Sequence, residues 1–136
     1  MARSLAAVAA GFLTVVVLSL ATDQLFHVLD VYPPWGQPMY ANSLNALALS
    51  YRIVYTLLGG FITARLAPQA PMRHVMILAS IGLVAGIAGA IAAIVGDFGP
   101  TWYPIAIAVT AYPCTWLGGR LGTDGARLSA RSTTTS

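Results

Sequence analysis

Four long apolar stretches alternate with short polar connections along the chain. They cover residues 4–22, 44–67, 75–96 and 102–121. A helix rises about 1.5 Å per residue, so each stretch can cross the roughly 30 Å hydrocarbon core of a bilayer. The pattern predicts an all-α polytopic membrane protein whose four transmembrane helices form one domain, residues 1–121. Residues 122–136 are polar and rich in Ser and Thr, and we expect a disordered cytoplasmic tail there.

The first apolar stretch also has features of a cleaved signal peptide. Arg3 gives it a positive start, and Ser19-Leu20-Ala21 resembles a small-x-small cleavage site. The stretch is long for a signal peptide, so we favour a retained first helix and keep cleavage as the alternative.

The composition supports a lipid environment. Hydrophobic residues make up 57% of the chain and charged residues 8%, whereas a soluble domain carries about 25% charged residues. The chain therefore cannot cover itself with polar surface, and the lipid bilayer is its predicted partner. The net charge of +3 does not indicate nucleic acid, because the arginines lie at the ends of apolar stretches.

Charge placement predicts the orientation. Two connections carry Asp23, Asp30 and Asp97 without any Lys or Arg. The basic residues at the ends of the spans and in the other polar segments fall on the opposite side if there are four spans: Arg3, Arg65, Arg73, Arg120, Arg127 and Arg131. By the positive-inside rule, both termini of this multi-pass inner-membrane protein lie in the cytoplasm.

The two halves of the chain resemble each other in sequence. The second stretch contains Gly59-Gly60 and the fourth contains Gly118-Gly119, each after a Thr-x-Leu segment, while Asp23 follows the first stretch and Asp97 the third. This pattern predicts two helical hairpins repeated in the same orientation. The alternative is a chance likeness between glycine-rich membrane helices.

Small residues indicate where helices pack. Gly82, Gly86 and Gly89 belong to two rows of Gly and Ala at every fourth position of the third stretch. Such rows let helix backbones approach closely in lipid. We therefore expect the third helix at the buried centre of the bundle, with the two Gly-Gly pairs as further packing points.

Arg52 is the one charged residue within the outer half of an apolar stretch. Its side chain can extend towards the lipid headgroups, form an ion pair with Asp23, Asp30 or Asp97, or belong to a substrate or ion site. All three readings stay open at the level of sequence.

Asp23, His27 and Asp30 are spaced so that they share one helix face if the first helix continues to Val31. This spacing is a poor metal signal, and we predict no metal and no cofactor. Tyr32, Trp35 and Tyr40 suit the headgroup region. No Ser or Thr in the apolar stretches has a histidine at helical spacing, so we predict that the protein is not an enzyme.

Two segments carry a resemblance to known proteins. They are Gly-Gly-x3-Ala-Arg-Leu-Ala-Pro at residues 59–68 and Leu-Gly-Gly-Arg-Leu at residues 117–121. In both, the chain resembles small bacterial four-span membrane proteins, a resemblance that implies the architecture and no activity. Small multidrug-resistance transporters match only in size, because their membrane-embedded glutamate has no counterpart in a chain without glutamate. Small fluoride channels also match only in length and number of spans.

Two functions follow as expectations. The first is a non-enzymatic structural or accessory subunit that associates with an unidentified membrane protein or with copies of itself. The alternative is an oligomeric small transporter or channel with a polar outer mouth at Arg52 and Asp23.

Overall fold

A computed structural model describes residues 1–134 as four α-helices. They are α1 (Ala2–Val28), α2 (Asn42–Leu66), α3 (Pro71–Val95) and α4 (Trp102–Thr134). No strand occurs in this part of the chain. The all-α architecture predicted from the sequence is therefore confirmed.

Three of the four helices, α1, α2 and α3, are long and apolar enough to cross a membrane. The sequence-based expectation of four such helices is thus met only in part, because α4 is less apolar than the others. Its first twenty residues include Tyr103, Tyr112, Pro113 and Arg120, which interrupt the run of Ala, Ile and Val.

The helices α2 and α4 form the centre of the bundle. They have the most extensive mutual contact, α1 packs mainly against α2, and α3 packs mainly against α4. The prediction of a central α3 is wrong. Only Val75, Leu78 and Ala79 are buried on α3, and they lie near its N-terminal end.

Adjacent glycines let the central helices touch. A Cβ built on Gly60 would lie 2.1 Å from the carbonyl oxygen of Thr115, and one on Gly118 would lie 1.9 Å from that of Leu57. Gly59 instead faces α1, where a Cβ would lie 2.9 Å from the carbonyl oxygen of Gly11. Each glycine of the Gly59-Gly60 pair thus allows a different helix to approach α2, as small residues do in membrane bundles.

The glycines of α3 contribute less than the sequence predicts. A Cβ on Gly86 would lie 3.1 Å from Cα of Ala108, which is a close approach to α4. For Gly82 the nearest atom would be 4.0 Å away, and for Gly89 nothing lies within 4 Å. The small-residue row of α3 therefore faces mostly open space. On α4, Gly119 packs against the side chain of Val75, 2.4 Å from a built Cβ.

The polar segment after residue 121 is helical. The helix α4 continues to Thr134, so disorder of residues 122–134 is not what the structure shows. The last two residues of the predicted tail, 135 and 136, lie outside the described residues. Gly122 still packs against α2, with a built Cβ 2.8 Å from the carbonyl oxygen of Phe61.

Asp30 and Asp97 occupy equivalent positions just beyond α1 and α3. Both have positive φ, 58° and 53°. In each case the aspartate N–H donates to a carbonyl three residues earlier, and the next residue donates to a carbonyl five residues earlier. This is the hydrogen-bond pattern of a Schellman cap. The counterpart of Asp97 in the first hairpin is therefore Asp30, not Asp23 as the sequence echo suggests.

The connection between α1 and α2 and the connection between α3 and α4 are joined to each other; they are called the outer connections below, and their end of the bundle the outer end. The N–H of Met39 donates to the carbonyl of Phe98 at 2.8 Å, and the Tyr40 hydroxyl donates to the carbonyl of Asp97 at 3.1 Å. Trp102 Nε1 donates to Asn42 Oδ1 at 2.9 Å. These contacts close the outer end of the bundle above the polar residues described next.

Candidate functional site

Asp23 ends a row of residues through which α1 contacts α2. The row repeats at every fourth position, so its members share one helix face; its buried members are Ala7, Gly11, Ser19 and Asp23. At the inner end of the row, Thr63 donates to the carbonyl of Ala7 at 3.1 Å. Small residues thus bring α1 close to α2 and place the Asp23 carboxylate inside the bundle, 7% exposed.

Arg52 of α2 joins three helices through its guanidinium group. Nη2 forms an ion pair with Oδ2 of Asp23 on α1, and Nη1 donates to the hydroxyl of Tyr103 on α4. The arginine side chain is 25% exposed and that of Asp23 is 10% exposed. Among the three readings of Arg52, the structure therefore shows the ion pair, and Asp23 is its partner.

The second carboxylate oxygen of Asp23 is also occupied. The Tyr51 hydroxyl donates to Oδ1, and the hydroxyls of Tyr51 and Tyr32 lie 3.0 Å apart. Tyr32, in the outer connection, is 5% exposed, and burial raises the pKa of its hydroxyl, which therefore stays protonated. A buried carboxylate that accepts from both an arginine and a tyrosine meets the requirement that buried charges be paired and hydrogen-bonded.

Aromatic rings surround this network on its outer side. Phe26 lies between Tyr32 and Tyr51, with ring centroids 5.2 and 5.8 Å away. A turn deeper, the hydroxyl of Tyr55 lies 2.7 Å from Oγ1 of Thr22. The polar groups are therefore held within a largely apolar environment that strengthens their mutual attraction.

His27 lies one turn beyond Asp23 but outside the ion pair. Its ring is 4.1 Å from the ring of Trp35, centroid to centroid, and Trp35 Nε1 donates to Oε1 of Gln24 at 2.8 Å. Within the described chain, His27 Nδ1 is buried and has no hydrogen-bond partner. His27 thus contributes to the aromatic wall of the outer end.

The structure does not bring the remaining candidate residues to the ion pair. Because α1 ends at Val28, Asp30 leaves the face that Asp23 and His27 share. Asp30 and Asp97 are exposed at the two helix caps. Within residues 1–134, no group of three or more His, Cys, Asp or Glu side chains is placed to hold a metal ion.

Three cavities meet at Arg52. An outer cavity of about 320 Å³ is lined by Asp23, His27, Tyr32 and Trp35 among others. A second cavity, of about 360 Å³, lies between α2, α3 and α4 and reaches the outer connections. A third, of about 250 Å³, lies deeper in the bundle and is mainly apolar. The side chain of Arg52 therefore borders all three cavities.

Sequence reasoning missed Tyr51 and Tyr103 as members of the network. Both are close to the outer ends of their helices, where tyrosine ordinarily indicates a headgroup contact. Their hydroxyls instead form hydrogen bonds with the two members of the ion pair. The sequence does carry one signal for Tyr51. A charge pair within an apolar stretch needs further hydrogen-bond partners, and Tyr51 is the neighbour of Arg52 in the chain.

Comparison of the chain with protein-family models, with curated proteins and with solved structures gives no match.

Proposed function

We propose that the chain spans the membrane four times, with both termini in the cytoplasm. Three helices have the required length and hydropathy, and the central position of α4 supports a fourth crossing. The buried face of α4 carries Thr115, Gly118 and Gly119, which contact other helices, so less of its surface has to match lipid. The arginines on one side of such a bundle agree with this orientation.

Reporter fusions test the four-span topology. Alkaline phosphatase, which is active only outside the cytoplasm, should be active when it is fused after Gly36 or Gly99 and inactive after Gln69. A fluorescent protein fused after Ser136 should fluoresce. If α4 does not cross, the last fusion would be dark and phosphatase at the same position would be active, which would contradict the proposal.

Within this topology, we propose a non-enzymatic structural or accessory subunit. The observation that carries the proposal is that Arg52, Asp23, Tyr51 and Tyr103 are hydrogen-bonded to one another within a single chain. A charge pair whose hydrogen-bond partners belong to the same chain fixes α1, α2 and α4 relative to one another. Several threonine hydroxyls of the bundle are also engaged; for example, Thr56 donates to the carbonyl of Arg52 at 2.7 Å, which supports a scaffold over a nucleophile.

One observation favours a second candidate, an oligomeric transporter or channel. The outer cavity and the two deeper cavities all border Arg52. If the ion pair opened, the outer cavity would connect with the two deeper cavities. Four short helices enclose little room for a complete pathway, so copies of the chain would have to assemble around one.

Photocrosslinking in native membranes distinguishes the two candidates. The chain contains no lysine, so amine-reactive reagents are unsuitable, and a photoreactive amino acid is placed instead at Val84 of α3 or Val17 of α1, both exposed. A reproducible adduct with one different membrane protein is expected for an accessory subunit.

Adducts between copies of the chain alone would contradict an accessory role beside a different protein and favour the transporter. That outcome leads to a flux assay in liposomes in which Arg52→Gln is compared with Arg65→Gln. Arg65 lies at the inner end of the same helix, outside the ion pair, and so provides a matched loss of charge. A transporter should lose flux only with the first substitution.

A further inference from the structure

A groove runs between α3 and the central pair α2 and α4. It consists of the 360 Å³ and 250 Å³ cavities described above, which share Arg52, Ala85, Gly86 and Ile107 as lining residues. Ala85 is exposed although it lines both cavities, so the groove opens at the surface of the bundle. That surface faces lipid if the proposed four-span arrangement holds, and this inference rests on that part of the proposed function.

The deeper half of the groove is apolar in effect. Three threonines line it, but their hydroxyls donate to carbonyls of their own helices. The bonds are Thr56 to Arg52, Thr110 to Ala106 and Thr115 to Ala111, each 2.7 Å. The threonines can therefore present methyl groups to the cavity, beside Phe12, Leu78 and Ile107. Such a surface suits a hydrocarbon chain and not a polar solute.

The upper half of the groove carries a positive charge. Among the described residues that line the two cavities, Arg52 is the only charged one. Its counterion Asp23 lines the outer cavity on the other side of the guanidinium. A guanidinium has five N–H donors, and Asp23 and Tyr103 each accept from one of its nitrogens, which leaves further donors for a ligand.

Tyr103 adds a second donor at the same place. Its hydroxyl accepts from Arg52 Nη1 and lines the upper cavity. A phenol can donate while it accepts, so its proton is available to an oxygen anion there. Arginine and tyrosine hydroxyls together suit a phosphate group, whose oxygens match the guanidinium fork.

We propose that this groove binds one phospholipid, with the phosphate at Arg52 and Tyr103 and one acyl chain in the deeper apolar half. The occupant follows from the arrangement of charge and apolar surface along one continuous groove. The cation lies at the end nearer the outer connections, and the apolar walls lie towards the bilayer centre. A bound lipid of this kind would fill the space that α3 leaves beside the central helices.

The test measures lipid binding to the purified full chain in maltoside micelles by native mass spectrometry. The probes are dioleoyl phosphatidylglycerol, dioleoylglycerol and inorganic phosphate. One phosphatidylglycerol per chain is expected, with dioleoylglycerol bound about tenfold more weakly because it lacks the charge-assisted hydrogen bonds. Inorganic phosphate at the same concentration should not displace the lipid, because it gains nothing from the apolar half.

Two variants fill the groove and one serves as a control. Ala85→Phe places a ring where the two cavities meet, and Gly82→Leu fills the deeper half, where a Cβ has no atom nearer than 4.0 Å. Ala88→Phe adds the same ring on an exposed part of α3 that lines neither cavity. We expect about tenfold weaker phosphatidylglycerol binding for both filling variants and unchanged binding for Ala88→Phe.

Several results would overturn the inference. They are equal phosphatidylglycerol binding by the wild type and both filling variants, equal binding of phosphatidylglycerol and dioleoylglycerol, or displacement by inorganic phosphate. If the reporter fusions also departed from the expected pattern, the four-span topology would be contradicted together with the lipid site. If the fusions gave the expected pattern, a negative lipid result would overturn the groove alone.

Discussion

Gly118→Ala is expected to lower the free energy of unfolding by about 3 kcal/mol, the upper end of the usual cost of overpacking. The added Cβ would lie 1.9 Å from the carbonyl oxygen of Leu57 and 2.7 Å from its carbonyl carbon. These are backbone atoms, which cannot rotate away as a flexible side chain can. The two central helices would have to separate, and the packing of the whole bundle depends on their contact.

The measurement is unfolding of the purified chain in mixed micelles as the fraction of denaturing detergent rises, followed by circular dichroism. Gly89→Ala is the matched control, because no atom lies within 4 Å of a Cβ at that position. It should leave stability unchanged or raise it by up to about 1 kcal/mol, the helix propensity gained on replacing glycine with alanine. Equal losses for the two variants would contradict the central role of the α2–α4 contact.

This pair of substitutions also shows what small-residue patterns can and cannot predict. The longer rows of Gly and Ala lie on α3, and on that basis α3 was expected at the centre. A row of small residues permits close approach but does not identify a neighbour. Backbones of neighbouring helices meet instead at Gly59, Gly60 and Gly118, because the most extensive contacts of α2 are those with α4 and α1.

Helix ends were predicted less well than helix positions. The first helix ends at Val28, before the Val31 that would keep Asp23, His27 and Asp30 on one helix face. The reason is the cap at Asp30, whose positive φ and backbone hydrogen bonds terminate the helix first. The same local geometry at Asp97 was hidden in the sequence, because a non-glycine residue in this conformation leaves a weak signal.

The charged part of the site could be predicted, and its hydrogen-bond partners could not. An arginine in an apolar stretch requires an explanation, and Asp23 was among the few available acids. Tyr51 and Tyr103 were not identified because tyrosine in an outer half-helix suits the headgroup region equally well. Which hydroxyls face inward depends on helix rotation, and rotation is set by packing along rows such as Ala7, Gly11 and Ser19.

The buried ion pair gives the other large expected effect. Asp23→Asn and Arg52→Gln should each lower the free energy of unfolding by about 3 kcal/mol, because each leaves the opposite charge unpaired inside the bundle. The double variant Asp23→Asn/Arg52→Gln removes both charges and keeps groups that can hydrogen-bond. The double variant should therefore lose less free energy of unfolding than the sum of the two single variants, by about 2 kcal/mol, as expected for residues in direct contact.

The same detergent titration measures all three variants, and Arg65→Gln provides the control for loss of a positive charge from α2. Arg65 is exposed at the inner end of that helix, beside the ring of Phe61, and its substitution should change stability by less than about 0.5 kcal/mol. Additive losses from Asp23→Asn and Arg52→Gln would mean that the two charges act independently. The closed network that supports a scaffold role would then be wrong, since a pair that fixes three helices has to lose most of its effect when either member is removed.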